Sequence, residues 1–365
     1  MKLLDFLGKC YMKNHIIPIF IPHLGCKHNC IFCNQKKIAN KTTPINQSDI
    51  KDIIDSALNK VSNRKNLNIE IAFYGGSFTA LPLKKQEELL KPAYNELIKQ
   101  NIDTIRISTR PDCINDKIIK NLKKHKVKII ELGVQSFDNH VLKKAQRGHT
   151  SNDVLKSISV LKQNNFICGI QIMPGLPGEN WTSLIQTCLQ TIFLKPNFVR
   201  IYPTIIIIDT ELSNLYQKKL YDPLTLESAV SKTAYLKLMF KINDIPVIRT
   251  GLQATDLLSE GNVVVKGPYH PSFGEMVDSY IFYIYLARFL EKIISYTHSL
   301  NCNNLELTIY HNNKDSSKIR GLNCINLEKL KKNYPIRAIK FTVDQSLKAG
   351  NIIVLYKNIR FTINC

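Results

Sequence analysis

The chain has 365 residues, 44% of them hydrophobic and 22% charged, which fits a globular protein with a sizeable core as one large domain or two smaller ones. Ten cysteines in a chain of this length exclude a disulfide-stapled mini-protein, and the longest apolar runs, Ile205–Ile208 and Tyr280–Leu290, are too short to span a bilayer. Fifty basic against 29 acidic side chains leave a net charge of +21, read either as affinity for a polyanion or as the Lys, Asn and Ile bias of an A/T-rich genome.

Met1–Met12 is a short amphipathic stretch without the form of a leader, and a cytoplasmic protein is expected. From there short β-branched runs alternate with longer amphipathic ones. Strands are predicted at Ile17–Ile21, Ile69–Tyr74, Thr104–Thr109, Lys128–Gly133, Ile167–Met173 and Phe198–Tyr202. Helices are predicted at Gln47–Val61, Leu83–Gln100, Asp116–Lys124, Asn139–Lys144, Asn152–Asn164 and Trp181–Thr191. This is the signature of α/β architecture: six βα units in a partial TIM-type barrel, two short of closure. Past Thr210 the pattern changes to a helix over Leu224–Phe240, a strand at Pro246–Leu252 and loops around Gly261–Asn262 and Gly267–Gly274. An apolar helix at Asp278–Ile294 follows. Strands at Asn304–Tyr310, Ala338–Val343 and Ile352–Leu355 then surround a helix at Leu327–Asn333. The expected division is a barrel over residues 1–212, a helical connector over 213–245 and a smaller α+β segment over 246–365.

The chemically distinctive residues fall where those strands end, which is where α/β folds collect function. After the first strand stands Gly25-Cys-Lys-His-Asn-Cys-Ile-Phe-Cys-Asn34, with Cys26, Cys30 and Cys33 spaced C-x3-C-x2-C. Three thiolates so spaced can hold three irons of a 4Fe–4S cubane, whose usual fourth cysteine is missing, leaving one iron for another ligand. A zinc site completed by His23 or His28 is the alternative. Gly75-Gly-Ser77, Ser108-Thr-Arg-Pro-Asp112, Gly133-Val-Gln-Ser136, Met173-Pro-Gly-Leu-Pro-Gly178 and Tyr202-Pro-Thr204 end the next five strands. Turn chemistry explains any one of them; six on one edge of a sheet point to one composite site.

The cysteine loop, the glycine pair and the glycine–proline loop together resemble the radical S-adenosylmethionine superfamily from about Pro18 to Glu211. That resemblance implies a 4Fe–4S cluster on Cys26, Cys30 and Cys33, and S-adenosylmethionine chelated at the open iron. It further implies reductive cleavage to methionine and a 5′-deoxyadenosyl radical, fed by a reductant such as flavodoxin or ferredoxin. Matched to the family's positions, Phe32 is the aromatic before the third cysteine. Gly75, Gly76 and Ser77 face the methionyl amino group, with Ser77 standing where many relatives carry Glu. Ser108 and Arg110 meet the ribose or carboxylate, Glu131 and Gln135 share one face of the fourth strand, and Arg147 pairs with the methionyl carboxylate. The loop from Ile172 through Gly175 to Gly178 holds the adenine. No catalytic side chain beyond the cluster and the S-adenosylmethionine site is identified.

Ser108–Asp112, Glu131–Ser136, Arg147-Gly-His149, Met173–Gly178 and Val199–Thr204 also resemble the catalytic subunit of Elongator and its bacterial relatives, which modify the wobble uridine of transfer RNA. The match is to a short form. The cysteine spacing is the tighter common one, and the tail has no acetyl-coenzyme A pyrophosphate loop, Lys348–Gly350 and Arg320–Leu322 being too sparse. Transfer RNA is therefore the implied partner. Lys314, Lys318, Arg320, Lys329, Lys331 and Lys332 are candidate phosphate contacts, and Tyr269, His270 and Phe273 form either a base-stacking loop or an ordinary one. Two other functions remain: a coproporphyrinogen oxidase-like enzyme acting on a small molecule, against which Asn34-Gln35 stands where a further cysteine is usual, and a non-catalytic iron–sulfur RNA-binding protein.

Overall fold

The computed structural model describes residues 13–21, 24–26, 28–34, 45–62, 64, 67–253, 263–296 and 304–364. Met1–Met12, His23 and the Gly261–Asn262 loop lie outside the described residues. The chain forms two compact units, Met1–Thr225 with Phe240–Tyr269, and Leu226–Met239 with His270–Cys365.

The first unit is built on a parallel sheet of seven strands: β1 (Lys13–Ile21), β2 (Leu67–Gly75), β3 (Thr104–Thr109), β4 (Ile129–Gln135), β5 (Ile167–Ile172), β6 (Phe198–Ile201) and β8 (Val247–Thr250), in that spatial order. Six strands were expected; the seventh, assigned by sequence to the C-terminal segment, pairs in parallel with β6 through Val199↔Val247 and Ile201↔Thr250. The long stretch between them gives the crossover a parallel pair needs. A two-stranded ladder, β7 (Ile206–Ile207) with β9 (Val264–Lys266), also escaped the sequence because each strand is too short to show a period.

Alternation explains the sheet's two faces. Ile17, Ile19, Ile21, Ile69, Ile71, Phe73, Ile105, Ile107, Ile130, Leu132, Cys168, Ile170, Val199 and Ile201 are all buried on one of them. Between the strands run α1 (Gln47–Asn59), α2 (Leu83–Ile98), α3 (Asp116–Lys124), α4 (Asn139–Lys144), α5 (Ser151–Gln163) and α6 (Trp181–Leu194), each with its own buried stripe, for example Ile50, Ile54 and Leu58 of α1. Asn46, Thr150 and Asn180 start α1, α5 and α6 with capping boxes, so those helix starts are locally encoded. The opposite face of the same strands carries Glu70, Tyr74, Arg106, Ser108, Glu131, Gln171 and Arg200, an unusually polar lining for buried strands. Helix α7 (Glu211–Gln217) is capped by Thr210.

Helix α8 (Leu226–Ile242) runs from the second unit into the first. The rest of the second unit comprises α9 (Phe273–Tyr296), β10 (Leu305–His311), α10 (Ser316–Arg320), α11 (Ile325–Asn333), β11 (Ile336–Val343), β12 (Asn351–Tyr356) and β13 (Ile359–Asn364), with sheet order β11-β10-β12-β13. Phe282, Leu286, Leu290 and Ile293 from α9 pack with Leu305, Leu307, Ile309, Ile352 and Val354 from the sheet, a core of its own. Strand β13 went unpredicted. It is joined to β12 by Lys357 and Asn358, both at positive φ, a two-residue hairpin turn without the usual glycine signal.

Candidate active site

The cysteine loop leaves β1 and is held by backbone. Leu24 N–H donates to Ile21 O (3.2 Å), Gly76 N–H to the same oxygen (3.0 Å), and Ser77 N–H to Leu24 O (2.9 Å). The two loops lie so close that side chains are excluded. A Cβ on Gly25, at φ +75°, would sit 2.3 Å from Ser77 O, and one on Gly76 would sit 2.1 Å from Leu24 O. Glycine is required at both positions. Further along, Ile31 N–H donates to Ala145 O and Leu212 N–H to Ile31 O. The Ile31 side chain packs with Ile206, Leu212 and Tyr221, and Phe32 lies against that cluster and against Val141, Ala145 and Leu176.

Cys26, Cys30 and Cys33 are half-buried thiols on this anchored loop. Cys26 Sγ lies 3.7 Å from Ser77 Oγ, and Cys30 Sγ accepts a 3.0 Å hydrogen bond from Arg147 Nη1. By contrast Cys168 and Cys188 are buried, with thiols pushed up to about 12 by burial. Among the described residues no three His, Cys, Asp or Glu groups close on a single point as ligands of one ion do. His28, named in the zinc alternative, is exposed with its ring against Gly148.

At the end of β4 the ladder breaks. Its register to β5 shifts between Gly133 and Gln135, Gln135 sits at φ +72°, and Ser136 N–H donates to Val134 O (2.9 Å), closing a γ-turn. Glu131 and Gln135 were expected to share a face if the strand stayed extended past Gly133; the turn instead presents Gln135 Oε1 to Gln171 Nε2 (3.2 Å) and leaves Gly133 O to accept from Arg147 Nη2 (2.5 Å). A non-glycine residue held at such a φ is backbone strain located at the mouth. His149, beside Arg147 in sequence, is buried with Nε2 against Val134 O (3.2 Å). Burial, then the charges of Arg147 and Arg110, lower its pKa to about 3, so it is neutral with Nδ1 a bare acceptor.

Deeper on the same face is a buried charge network. Arg106 meets Glu70 at 2.7 Å and Glu131 at 3.5 Å; Arg200 meets Glu131 at 3.1 Å and hydrogen-bonds the hydroxyls of Tyr202 (3.0 Å) and Tyr74 (3.1 Å). Burial raises the Glu131 carboxyl, with the two guanidiniums opposing it. The same guanidiniums lie over the rings of Phe198 and Tyr74. Arg106, Arg200, Tyr74 and Gln171 were missed by motif reading. Their signal was polar residues at every second position of otherwise apolar strands.

The structure thus joins Cys26 to Ser77 and the glycine pair, and Cys30 to Arg147 and the Gly133–Gln135 turn. Apart from Ser108, the remaining candidates have partners within the protein. Glu131 is paired with two arginines, and Arg110 is held by both oxygens of Asp112 (2.9 and 3.2 Å). Ile172 points its side chain into the core while its carbonyl accepts from Tyr202 N–H. Gly175, at φ +90°, is fixed by Glu179 on its N–H and Tyr221 on its carbonyl. Among the described residues Ser108 Oγ is buried without a hydrogen-bond partner, as is Arg147 Nε.

A parallel half-barrel whose strand ends carry a three-thiol loop locked to a glycine pair defines a class, the radical S-adenosylmethionine enzymes. A family model described as the radical SAM superfamily matches residues 20–190, and one described as the radical SAM C-terminal domain matches residues 196–282. A tRNA uridine(34) acetyltransferase of Methanocaldococcus infernus is 29% identical over 234 residues, 58% of this chain and 42% of that protein. An uncharacterised protein of Methanocaldococcus jannaschii is 30% identical over 228 residues, 59% of this chain and 68% of that one. The solved structure of archaeal Methanocaldococcus infernus Elp3 with an N-terminal deletion superposes with TM-score 0.56 at 22% identity, covering 80% of this chain and 65% of that one, and shows the shared fold. The chain spans less than half the length of the acetyltransferase it matches.

The protein belongs to the radical S-adenosylmethionine superfamily, resembles its Elongator-like subgroup, and is an enzyme. Its cofactors are those of the family, a 4Fe–4S cluster and S-adenosylmethionine. The donor set fits them: three thiols on one loop, a cation on one sulfur, and the buried Ser108 Oγ and Arg147 Nε, which find no hydrogen-bond partner among the described residues. Among the described residues no helix is long and apolar enough to cross a membrane.

Proposed function

We propose that this enzyme modifies transfer RNA at a wobble-uridine position, in the cytoplasm, with a flavodoxin- or ferredoxin-type reductant. The observation that carries the reading is its similarity to tRNA uridine(34) acetyltransferases, which extends over 234 residues. The net charge of +21 supports it, since phosphate neutralisation drives RNA affinity. Of the six candidate cations in the tail, Lys318 lies 3.5 Å from Asp278, Arg320 lies over the Phe341 ring and Lys329 over the Tyr283 ring, while Lys314, Lys331 and Lys332 are exposed. Those three are the phosphate contacts we favour. Tyr269 packs on Ile205, Ile207 and Val263, and Phe273 is buried, so the ordinary-loop reading of that segment stands.

Cys26, Cys30 and Cys33 would hold the cluster, which when bound supplies the one-electron reductive cleavage of S-adenosylmethionine. The chain's part is positioning. The locked Gly25 and Gly76 backbone keeps the mouth's shape, and Arg147 holds Cys30. Gly75, Gly76, Ser77, Ser108, Gln135 and Arg147 are the contacts proposed for S-adenosylmethionine. The buried His149 is neutral and so adds no further cation next to Arg147. Two measurements test the substrate: transfer RNA added to reduced enzyme should raise 5′-deoxyadenosine formation, and a strain lacking the gene should lose one modified nucleoside by mass spectrometry. Total transfer RNA that leaves 5′-deoxyadenosine at its substrate-free level sinks the reading.

A further inference from the structure

Arg147 is not placed as a swinging surface cation. Its residue is only 6% exposed, and its backbone N–H is bound to Leu142 O (3.0 Å). One prong of the guanidinium, Nη1, reaches Cys30 Sγ at 3.0 Å, and the other, Nη2, reaches Gly133 O at 2.5 Å. Gly133 O is available to it where the ladder shifts register before the strained Gln135. Gly133 also keeps the space open, since a Cβ there would lie 3.2 Å from Nη2. The partner of Cys26 is different in kind, a neutral serine hydroxyl at 3.7 Å. These two cysteines therefore sit in unequal electrostatic surroundings.

We infer that Arg147 is a positioning residue that sets the reduction potential of the cluster through the sulfur of Cys30. A donor and a positive charge on a ligand sulfur withdraw electron density. They stabilise the reduced cluster, which carries one more negative charge, more than the oxidised one, and so raise the potential. The γ-turn at Gln135 belongs to the device, because it accompanies the register shift that leaves the Gly133 carbonyl to the second prong. The inference uses the family's cofactor and is independent of the RNA substrate.

The test is a potentiometric titration followed by electron paramagnetic resonance, on reconstituted full-length protein without S-adenosylmethionine or RNA. Wild type, Arg147→Gln and Arg147→Lys are each normalised to bound iron and sulfide. For Arg147→Gln the ratio of reduced to oxidised cluster at a fixed potential should fall about tenfold, equivalent to a midpoint about 59 mV more negative for one electron. Arg147→Lys keeps the charge but not the two-pronged fork, and should fall between the two. A fully loaded Arg147→Gln protein whose ratio stays within about twofold of wild type overturns the inference, because a merely structural role would move iron content and not the potential. If neither variant takes up the cluster, wild-type protein containing nitrogen-15 arginine decides. Pulsed resonance of its reduced cluster should show coupling to a guanidinium nitrogen, and no coupling overturns the inference.

Discussion

The mouth and the floor of this half-barrel lie on the same face of the same strands, yet they are held by opposite means. At the mouth, backbone meets backbone: Gly25 and Gly76 carry no side chain, carbonyls of Ile21 and Leu24 bind the following loop, and the thiols are left half-exposed. At the floor, side chain meets side chain: Glu70, Arg106, Glu131 and Arg200 neutralise one another out of water. A site that must accept a ligand keeps polar atoms unspent, as with Ser108 Oγ and Arg147 Nε. A buried network that supports the fold spends them on ion pairs, as Glu70, Arg106, Glu131 and Arg200 do here.

The strongest test of that contrast is Glu131→Gln. If Glu131 belongs to the floor, its loss leaves Arg106 and Arg200 with one carboxylate between them, and breaking such a buried pair costs about 3–5 kcal/mol. Denaturant unfolding of the apoprotein should show that loss, while protein that remains folded binds S-adenosylmethionine with wild-type affinity. A variant of unchanged stability whose affinity falls tenfold or more would move Glu131 to the mouth and break the contrast.

Gly76→Ala probes the other end. The added methyl group overlaps Leu24 O at 2.1 Å and Ile21 O at 2.7 Å, both backbone atoms with no rotamer to yield. We expect a stability loss of about 2–3 kcal/mol together with a fall in bound iron, because the displaced segment leads into Cys26. Gly133→Ala is the control. Its methyl group meets only the ends of Gln135 and Arg147 side chains, at 3.0 and 3.2 Å, so its effect on stability should be smaller. Equal losses for the two would mean that the mouth is not held by backbone packing.

What was legible in advance follows the same divide. Six strands and six helices of the first unit were readable because each rests on local information, period-2 apolar runs and capping residues such as Asn46 and Asn180. The cysteine loop and glycine pair were readable because their chemistry lies in short spacings. Glu131 and Arg110 read as ligand contacts for the same reason, from their places at strand ends. Their actual partners differ in how far away they lie. Asp112 is two residues from Arg110, whereas Arg106 reaches Glu131 from the adjacent strand β3 and Arg200 from β6, one strand beyond β5, a pairing no local spacing contains. The γ-turn at Gln135 was hidden too, since glutamine carries no signal for positive φ.

His149 lies beside Arg147 of the mouth, and its titration gives the smallest predicted effect. It is buried near Arg147 and Arg110, with a folded pKa near 3 against an ordinary value of 6.5. Below the ordinary value the unfolded chain takes up a proton that the native state refuses, so stability present above pH 6.5 is lost as pH falls toward 3. The loss should come to roughly 2 kcal/mol between pH 7 and pH 5, at one proton's slope. His149→Gln, which cannot titrate, should flatten that part of the stability curve measured by denaturant unfolding. A slope equal to wild type would mean that His149 is solvated and protonated at pH 5. It would then present a cation beside Arg147, and the mouth would carry more positive charge than its neutral imidazole now gives it.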